Sequence, residues 1–154
     1  MLVGVARDES LSDERIKHLE FIQSIVTRLS TNSFIIKGWA ITVSAAIFAF
    51  EAKEQNWRVA AVALLPIIAF WLLDAYFLRQ ERLFRKLYDQ VRRQNAATEP
   101  FSMDISPYKQ RVRLWKVATS VTILTFYGPI IAIALLLLLA SLPPLGIPVI
   151  IIVI

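Results

Sequence analysis

The chain has 154 residues, of which 56% are hydrophobic and 19% are charged, a balance that excludes an ordinary soluble globular domain. It contains no cysteine, which excludes disulfide frameworks, thiolate metal sites and cysteine nucleophiles. The formal net charge is +5, and its uneven distribution along the chain bears on membrane orientation. We therefore predict an all-α membrane protein. The parts outside the membrane are expected to be too small to bury a core of their own.

Residues 1–33 are predicted to form a cytoplasmic amphipathic helix, because apolar residues recur at helical spacing over 11–29. The polar residues 30–33 either separate this helix from the first span or belong to one continuous helix, and the sequence leaves both open. His18 is the only histidine, so it has no second histidine or cysteine with which to hold a metal. We expect it to be a solvated residue on the helix surface.

Two apolar stretches, 34–50 and 59–78, are predicted to form a transmembrane helical hairpin over 34–78. Each stretch is long enough to cross a bilayer core of roughly 30 Å. Each also carries a single formal charge, which is Lys37 in the first stretch and Asp74 in the second. Only a short polar stretch separates them, and we expect it to be the turn at one membrane face.

Asp74 is the most informative single residue, since an ionisable group inside a span is costly and indicates function by default. Lys37 and Asp74 are expected at nearly the same depth on antiparallel helices, which favours an intramembrane ion pair that fastens the hairpin. A proton- or ion-handling role for Asp74 is the alternative. Arg79 and Arg82, on the same helix as Asp74, are competing partners.

Residues 79–116 are predicted to form a basic cytoplasmic helix and loop. They hold ten Lys or Arg residues against four acids. Because basic residues near span ends stay on the cytoplasmic side, we expect this segment, and by parity the N-terminus, to lie on the cytoplasmic side of the membrane. The helix is expected to continue from the second span to about Asn95. Its basic face consists of Arg79, Arg82, Arg85, Lys86, Arg92 and Arg93.

Three kinds of ligand fit this basic face. Anionic lipid headgroups are attracted by basic residues near the membrane surface. A cytoplasmic sensor or effector protein with an acidic surface is the second kind. A nucleic acid or nucleotide is the third, with Phe84 and Tyr88 available for stacking, although helical spacing explains both aromatics equally well as packing residues.

The third span is predicted within residues 117–154, where 117–141 is uncharged. Gly128 and Pro129 are expected to interrupt it. The tail, 142–154, is rich in proline and is expected either at the extracytoplasmic interface or as a re-entrant turn. Three hydroxyls at i, i+3 and i+6 either bond their own backbone or line a pore in an oligomer: Thr119, Thr122 and Thr125.

No motif indicates an enzyme or a cofactor. The four glycines do not form a phosphate-binding G-x-x-x-x-G-K pattern. The single histidine is far from any serine elbow, so no nucleophile and base can be paired from the sequence. We therefore expect neither catalysis nor a bound cofactor.

A family resemblance is carried by two stretches, NSFIIKGWAITVSAAIFAF (32–50) and FWLLDAYFLRQERLFRKLYDQVRRQ (70–94). They are similar to small bacterial inner-membrane proteins, and their arrangement over about residues 15–95 resembles the two-span SLATT effectors encoded beside antiphage defence genes. The third span departs from that two-span pattern.

The resemblance implies a homo-oligomer that permeabilises or depolarises the inner membrane when a cytoplasmic partner detects infection. Two alternatives remain open from the sequence. One is a non-conducting scaffold or accessory subunit that recruits a soluble partner, and the other is a small ion channel or transporter.

Overall fold

The computed structural model describes residues 13–54, 56–93 and 101–143. Every regular element in these ranges is helical. The N-terminal residues 1–12 and residues 144–154 of the predicted interfacial or re-entrant tail lie outside the described residues. The elements in chain order are α1 (Asp13–Glu54), α2 (Trp57–Arg92), a 3₁₀ turn (Ser106–Tyr108), α3 (Leu114–Ala118) and α4 (Val121–Ser141).

Helix α1 is one continuous helix of 42 residues. It begins with Asp13 and Glu14 in its first turn, where acidic side chains complement the helix dipole. The polar residues 30–33 lie inside it, so the structure has a single helix where the sequence left two arrangements open. At 1.5 Å per residue α1 is about 63 Å long, roughly twice the thickness of a bilayer core.

Helix α2 has 36 residues and packs along α1. Asn56 caps its N-terminus, because the side-chain oxygen accepts a hydrogen bond of 3.0 Å from the Arg58 backbone N–H. The helix continues through Pro66 and ends at Arg92, three residues before the expected end. The turn expected over 51–58 is shorter than predicted, since α1 extends to Glu54.

The third apolar segment starts with a break that the sequence did not predict. The short α3 ends at Ala118, and α4 begins at Val121 with Ser120 as its N-cap residue in an extended conformation. The expected interruption at Gly128 and Pro129 is wrong, because α4 is continuous through both. Tyr127, two residues before the proline, is buried in the bundle, and packing of this kind can offset the one backbone hydrogen bond that proline removes.

Helices α1, α2 and α4 are each long and apolar enough to cross a membrane. Their length and composition indicate a multi-pass membrane protein. Helix α4 packs mainly on α2, with fewer contacts to α1. The three helices bury a cluster centred on Ala40, Ile67, Ile123, Tyr127 and Ala134.

A second buried cluster lies towards the start of α1 and the end of α2, and we call it the charged-end core. It comprises Leu19, Ile22, Val26, Leu83, Leu87, Val91 and Tyr108. The segments 1–33 and 79–116, which the sequence predicts to be too small to bury a core of their own, therefore share one. The two helices each contribute one apolar face, and residues from 103–112 pack against both faces. The apolar side chains of all three segments are therefore buried against one another.

Candidate functional site

A layer of polar side chains crosses the bundle between the cluster around Ile67 and Tyr127 and the charged-end core. The Lys37 ammonium lies 2.5 Å from Asp74 Oδ2 and also donates a hydrogen bond of 2.8 Å to Ser33 Oγ. The Ser33 hydroxyl in turn donates to Asp74 Oδ1. Asp74 is fully buried, whereas the Lys37 side chain is 21% exposed. We call Ser33, Lys37 and Asp74 the polar layer.

Helix α4 also packs against the polar layer, through Phe126 and Tyr127. The Lys37 ammonium lies 5.8 Å from the centre of the Phe126 ring, within the range of a cation–π interaction. Tyr127 is fully buried, and its hydroxyl donates a hydrogen bond of 3.2 Å to the Phe70 carbonyl. The layer therefore links all three long helices and not only the two that hold the ion pair.

The layer is ionic as well as hydrogen-bonded. Within the described part of the chain, Asp74 Oδ2 accepts no hydrogen bond of normal geometry, and its contact with the Lys37 ammonium is an ion pair. The competing partner Arg79 points elsewhere, since its Nε donates to the Val112 carbonyl at 2.8 Å. Sequence reasoning found the two charges but missed Ser33, although its position four residues before Lys37 on a helix was an available signal.

The predicted basic face divides into three parts in the structure. Arg79 fastens residues 109–112 to α2. Arg92 and Arg93 are exposed at the end of α2. The remaining three residues, Arg82, Arg85 and Lys86, line an open cleft of about 450 Å³ together with Asp89, Arg111, Val112, Arg113, Lys116 and Val117.

This basic cleft has two walls from distant parts of the chain. One wall is α2, and the other is formed by residues of 111–117, which include part of α3. Arg85 is partly neutralised by Glu81, at 2.8 Å. Sequence reasoning counted Arg111, Arg113 and Lys116 as topology signals but did not place them opposite α2, because no spacing rule relates residues across a loop.

The segment 101–113 is held on the charged-end core by polar contacts as well as by packing. His18 is buried, and its Nε2 lies 3.0 Å from the Ser102 carbonyl. Since a carbonyl only accepts, this nitrogen carries the proton. The expectation of a solvated His18 is therefore wrong. The Tyr108 hydroxyl donates to the Gln90 side chain, which adds a contact to α2.

Two pKa values in this segment are displaced by its local structure. The Ser106 backbone N–H donates to Asp104 at 2.8 Å, and this contact with Ser106 lowers the pKa of the Asp104 carboxyl. Burial raises the pKa of the Tyr108 hydroxyl, with Arg111 acting in the opposite direction. The Asp104 carboxyl therefore stays ionised and the Tyr108 hydroxyl stays neutral near pH 7.

Replacing Arg79 with methionine is expected to loosen the segment 101–113. The guanidinium donates to the Val112 carbonyl at 2.8 Å and to the Lys109 carbonyl at 3.5 Å, and a hydrogen bond from a charged donor contributes about 1.5–3 kcal/mol. Amide hydrogen exchange at residues 108–113 should become roughly tenfold faster or more. Arg92→Met is the matched control, and equal exchange rates in the two variants would contradict the assignment.

The three threonines predicted as candidate pore lining lie on the outside of the single chain. All three are exposed. Thr119 and Thr125 donate to the carbonyls of Trp115 and Val121, at 2.9 and 2.7 Å, which satisfies their hydroxyls within their own helical turns. The pore-lining role thus remains a prediction that requires neighbouring copies of the chain.

Glu51 lies in the last turn of α1, at the end of the helix away from the charged-end core. It is a buried residue that the sequence analysis placed in the turn between the first two spans. It is 2% exposed. Neither carboxylate oxygen has a hydrogen-bond partner in the described part of the chain. It lines a cavity of about 310 Å³ with Ala52, Leu137, Ala140 and Ser141. The sequence analysis ended the first apolar stretch at residue 50, whereas α1 continues to Glu54 and includes Glu51.

Comparison with known protein families, characterised proteins and solved structures gave no match. The functional interpretation therefore depends on the geometry of the polar layer and the basic cleft.

Proposed function

We propose that this protein is an inner-membrane effector of bacterial antiphage defence, of the kind that its SLATT resemblance implies. It assembles as a homo-oligomer and permeabilises or depolarises the membrane when a cytoplasmic partner triggers it. The observation that carries the proposal is the buried polar layer on two helices that continue without a break into the charged-end core.

The proposed orientation places the charged-end core and the basic cleft in the cytoplasm, with the N-terminus on the same side. The support is the distribution of charge along the bundle. The cleft is lined by six basic residues and one acid. At the other end, the described residues of 51–58 carry two acids and two bases. Basic residues near span ends favour the cytoplasmic side, so α1 and α2 form a transmembrane hairpin with its turn outside.

The polar layer supplies a physical route from trigger to membrane. A partner that moves the cytoplasmic ends of α1 and α2 relative to each other also moves the polar layer, because each helix is continuous across both regions. Separating Lys37 from Asp74 leaves two unpaired charges inside the membrane, each of which costs several kcal/mol. Water entering between the helices of an assembly offsets that cost, and a water-filled path conducts ions.

Triggered depolarisation is the test of this proposal. Cells that express the protein with its neighbouring genes are loaded with a membrane-potential dye and infected with phage. We expect depolarisation with the wild-type chain and its loss with Asp74→Asn at equal protein level in the membrane. Leu72→Ala, on an exposed part of α2, is the matched control and should behave like the wild type. Unchanged potential after infection, or equal responses of the wild type and Asp74→Asn, would contradict the proposal.

A second candidate function is a non-conducting scaffold that recruits a soluble partner to the membrane. The separate charged-end core favours it, because a preformed structure outside the spans offers a rigid docking surface. The infection experiment distinguishes the two functions. A protein that retains a soluble partner at the membrane, while the potential stays constant, fits the scaffold and not the effector.

A further inference from the structure

The basic cleft concentrates positive charge beyond what its acidic neighbours offset. Its described lining contains Arg82, Arg85, Lys86, Arg111, Arg113 and Lys116, with Asp89 as the single acid. Glu81 pairs with Arg85, which still leaves a clear excess of cations around one open volume. Like charges that face each other across a cleft repel, so an anion placed between the two walls would stabilise both.

The surroundings of the cleft are apolar on the side that leads into the third span. Leu114 and Trp115 of α3 are 40% and 60% exposed. The Lys116 ammonium lies 6.0 Å from the centre of the Trp115 ring. Val121, the first residue of α4, is 81% exposed. Exposed apolar and aromatic side chains directly beside cations are typical of the level at which a bilayer meets water.

We propose that the basic cleft binds the phosphate-bearing headgroup of an anionic phospholipid. The cations of the two walls contact the phosphate, and the acyl chains lie along the exposed apolar residues of α3 and the start of α4. A basic pocket between elements at a membrane surface recognises this chemistry. A soluble phosphate compound would use the cations but leave the apolar neighbours without a role. Lipid binding by the cleft does not require the effector role, and it is measured without any permeability assay.

The test is native mass spectrometry of the full-length protein in detergent, titrated with phosphatidylglycerol or phosphatidylcholine. Two variants each remove two cations, one pair from each wall: Arg82→Gln with Lys86→Gln, and Arg111→Gln with Arg113→Gln. The matched control, Arg92→Gln with Arg93→Gln, removes the same charge from α2 outside the cleft. At about 1 kcal/mol for each basic residue, each wall variant should lose about 30-fold in affinity for phosphatidylglycerol.

Phosphatidylglycerol should bind the wild type and the control variant equally well, and both more tightly than phosphatidylcholine. Arg111→Lys with Arg113→Lys should retain binding, which separates lost charge from lost folding. Equal losses in the control and wall variants would overturn the cleft as the site. Wall variants with wild-type affinity would do the same. Inorganic phosphate or ATP that binds the cleft as tightly as phosphatidylglycerol would assign it to a soluble anion and overturn the lipid.

Discussion

Replacing Lys37 with methionine is expected to destabilise the protein by about 3–5 kcal/mol, because it leaves a buried carboxylate without its counter-charge. Asp74 is fully buried. After the substitution the Ser33 hydroxyl still donates to Asp74, but no other cation among the described residues forms an ion pair with it. The measurement is the free energy of unfolding in mixed micelles, obtained by titration with a denaturing detergent.

A double-mutant cycle separates the ion pair from the general effect of either substitution. Lys37→Met with Asp74→Leu removes both charges and should cost much less than the sum of the single variants, since apolar residues of similar volume often replace a buried pair with little loss. Asp74→Leu alone should cost less than Lys37→Met, because the Lys37 side chain is 21% exposed and can reach water. Additive single effects would show that the two charges do not interact.

Replacing Ile22 with alanine is expected to cost about 2–5 kcal/mol, the range for deleting a fully buried aliphatic side chain. Ile22 is 0% exposed and lies in the charged-end core with Leu83 and Leu87. The cost includes both lost burial and the cavity left between α1, α2 and the segment that covers them. The free energy of unfolding is measured as for the Lys37 variants.

Ile16→Ala is the matched control for this substitution. Ile16 lies on the same helix but is 40% exposed, so its loss should cost less than about 1 kcal/mol. Similar costs for Ile22→Ala and Ile16→Ala would mean that no separate core exists outside the spans. In that case α1 and α2 would be held together by their apolar halves alone.

Much of the helical architecture could be predicted because it depends on composition and local periodicity. Long apolar stretches with isolated charges predict helices that can cross a membrane, and the structure has three of them. The continued apolar spacing after Leu78 predicted the extension of α2, which ends at Arg92. Lys37 and Asp74 were identified because single charges in apolar stretches are conspicuous, and the structure places them 2.5 Å apart.

The features that escaped prediction all depend on contacts between distant segments. At the break before α4, the Ala118 carbonyl accepts a hydrogen bond of 3.0 Å from Trp71 Nε1, and no local rule reveals such a partner. Helix α4 is continuous through Pro129, and the buried Tyr127 lies two residues before the proline. The burial of His18 depends on Ser102, which lies 84 residues away. Apolar periodicity shows that a face will be buried but not what covers it.

The membrane topology is the central claim, since the effector role and the lipid site both depend on it. The chain contains no cysteine, so single cysteines introduced as Asn56→Cys and Arg93→Cys report their surroundings without background. Both positions are exposed. A membrane-impermeant maleimide should label Asn56→Cys in intact cells and Arg93→Cys only after the inner membrane is opened. Labelling of Arg93→Cys in intact cells, with Asn56→Cys protected, would contradict the account.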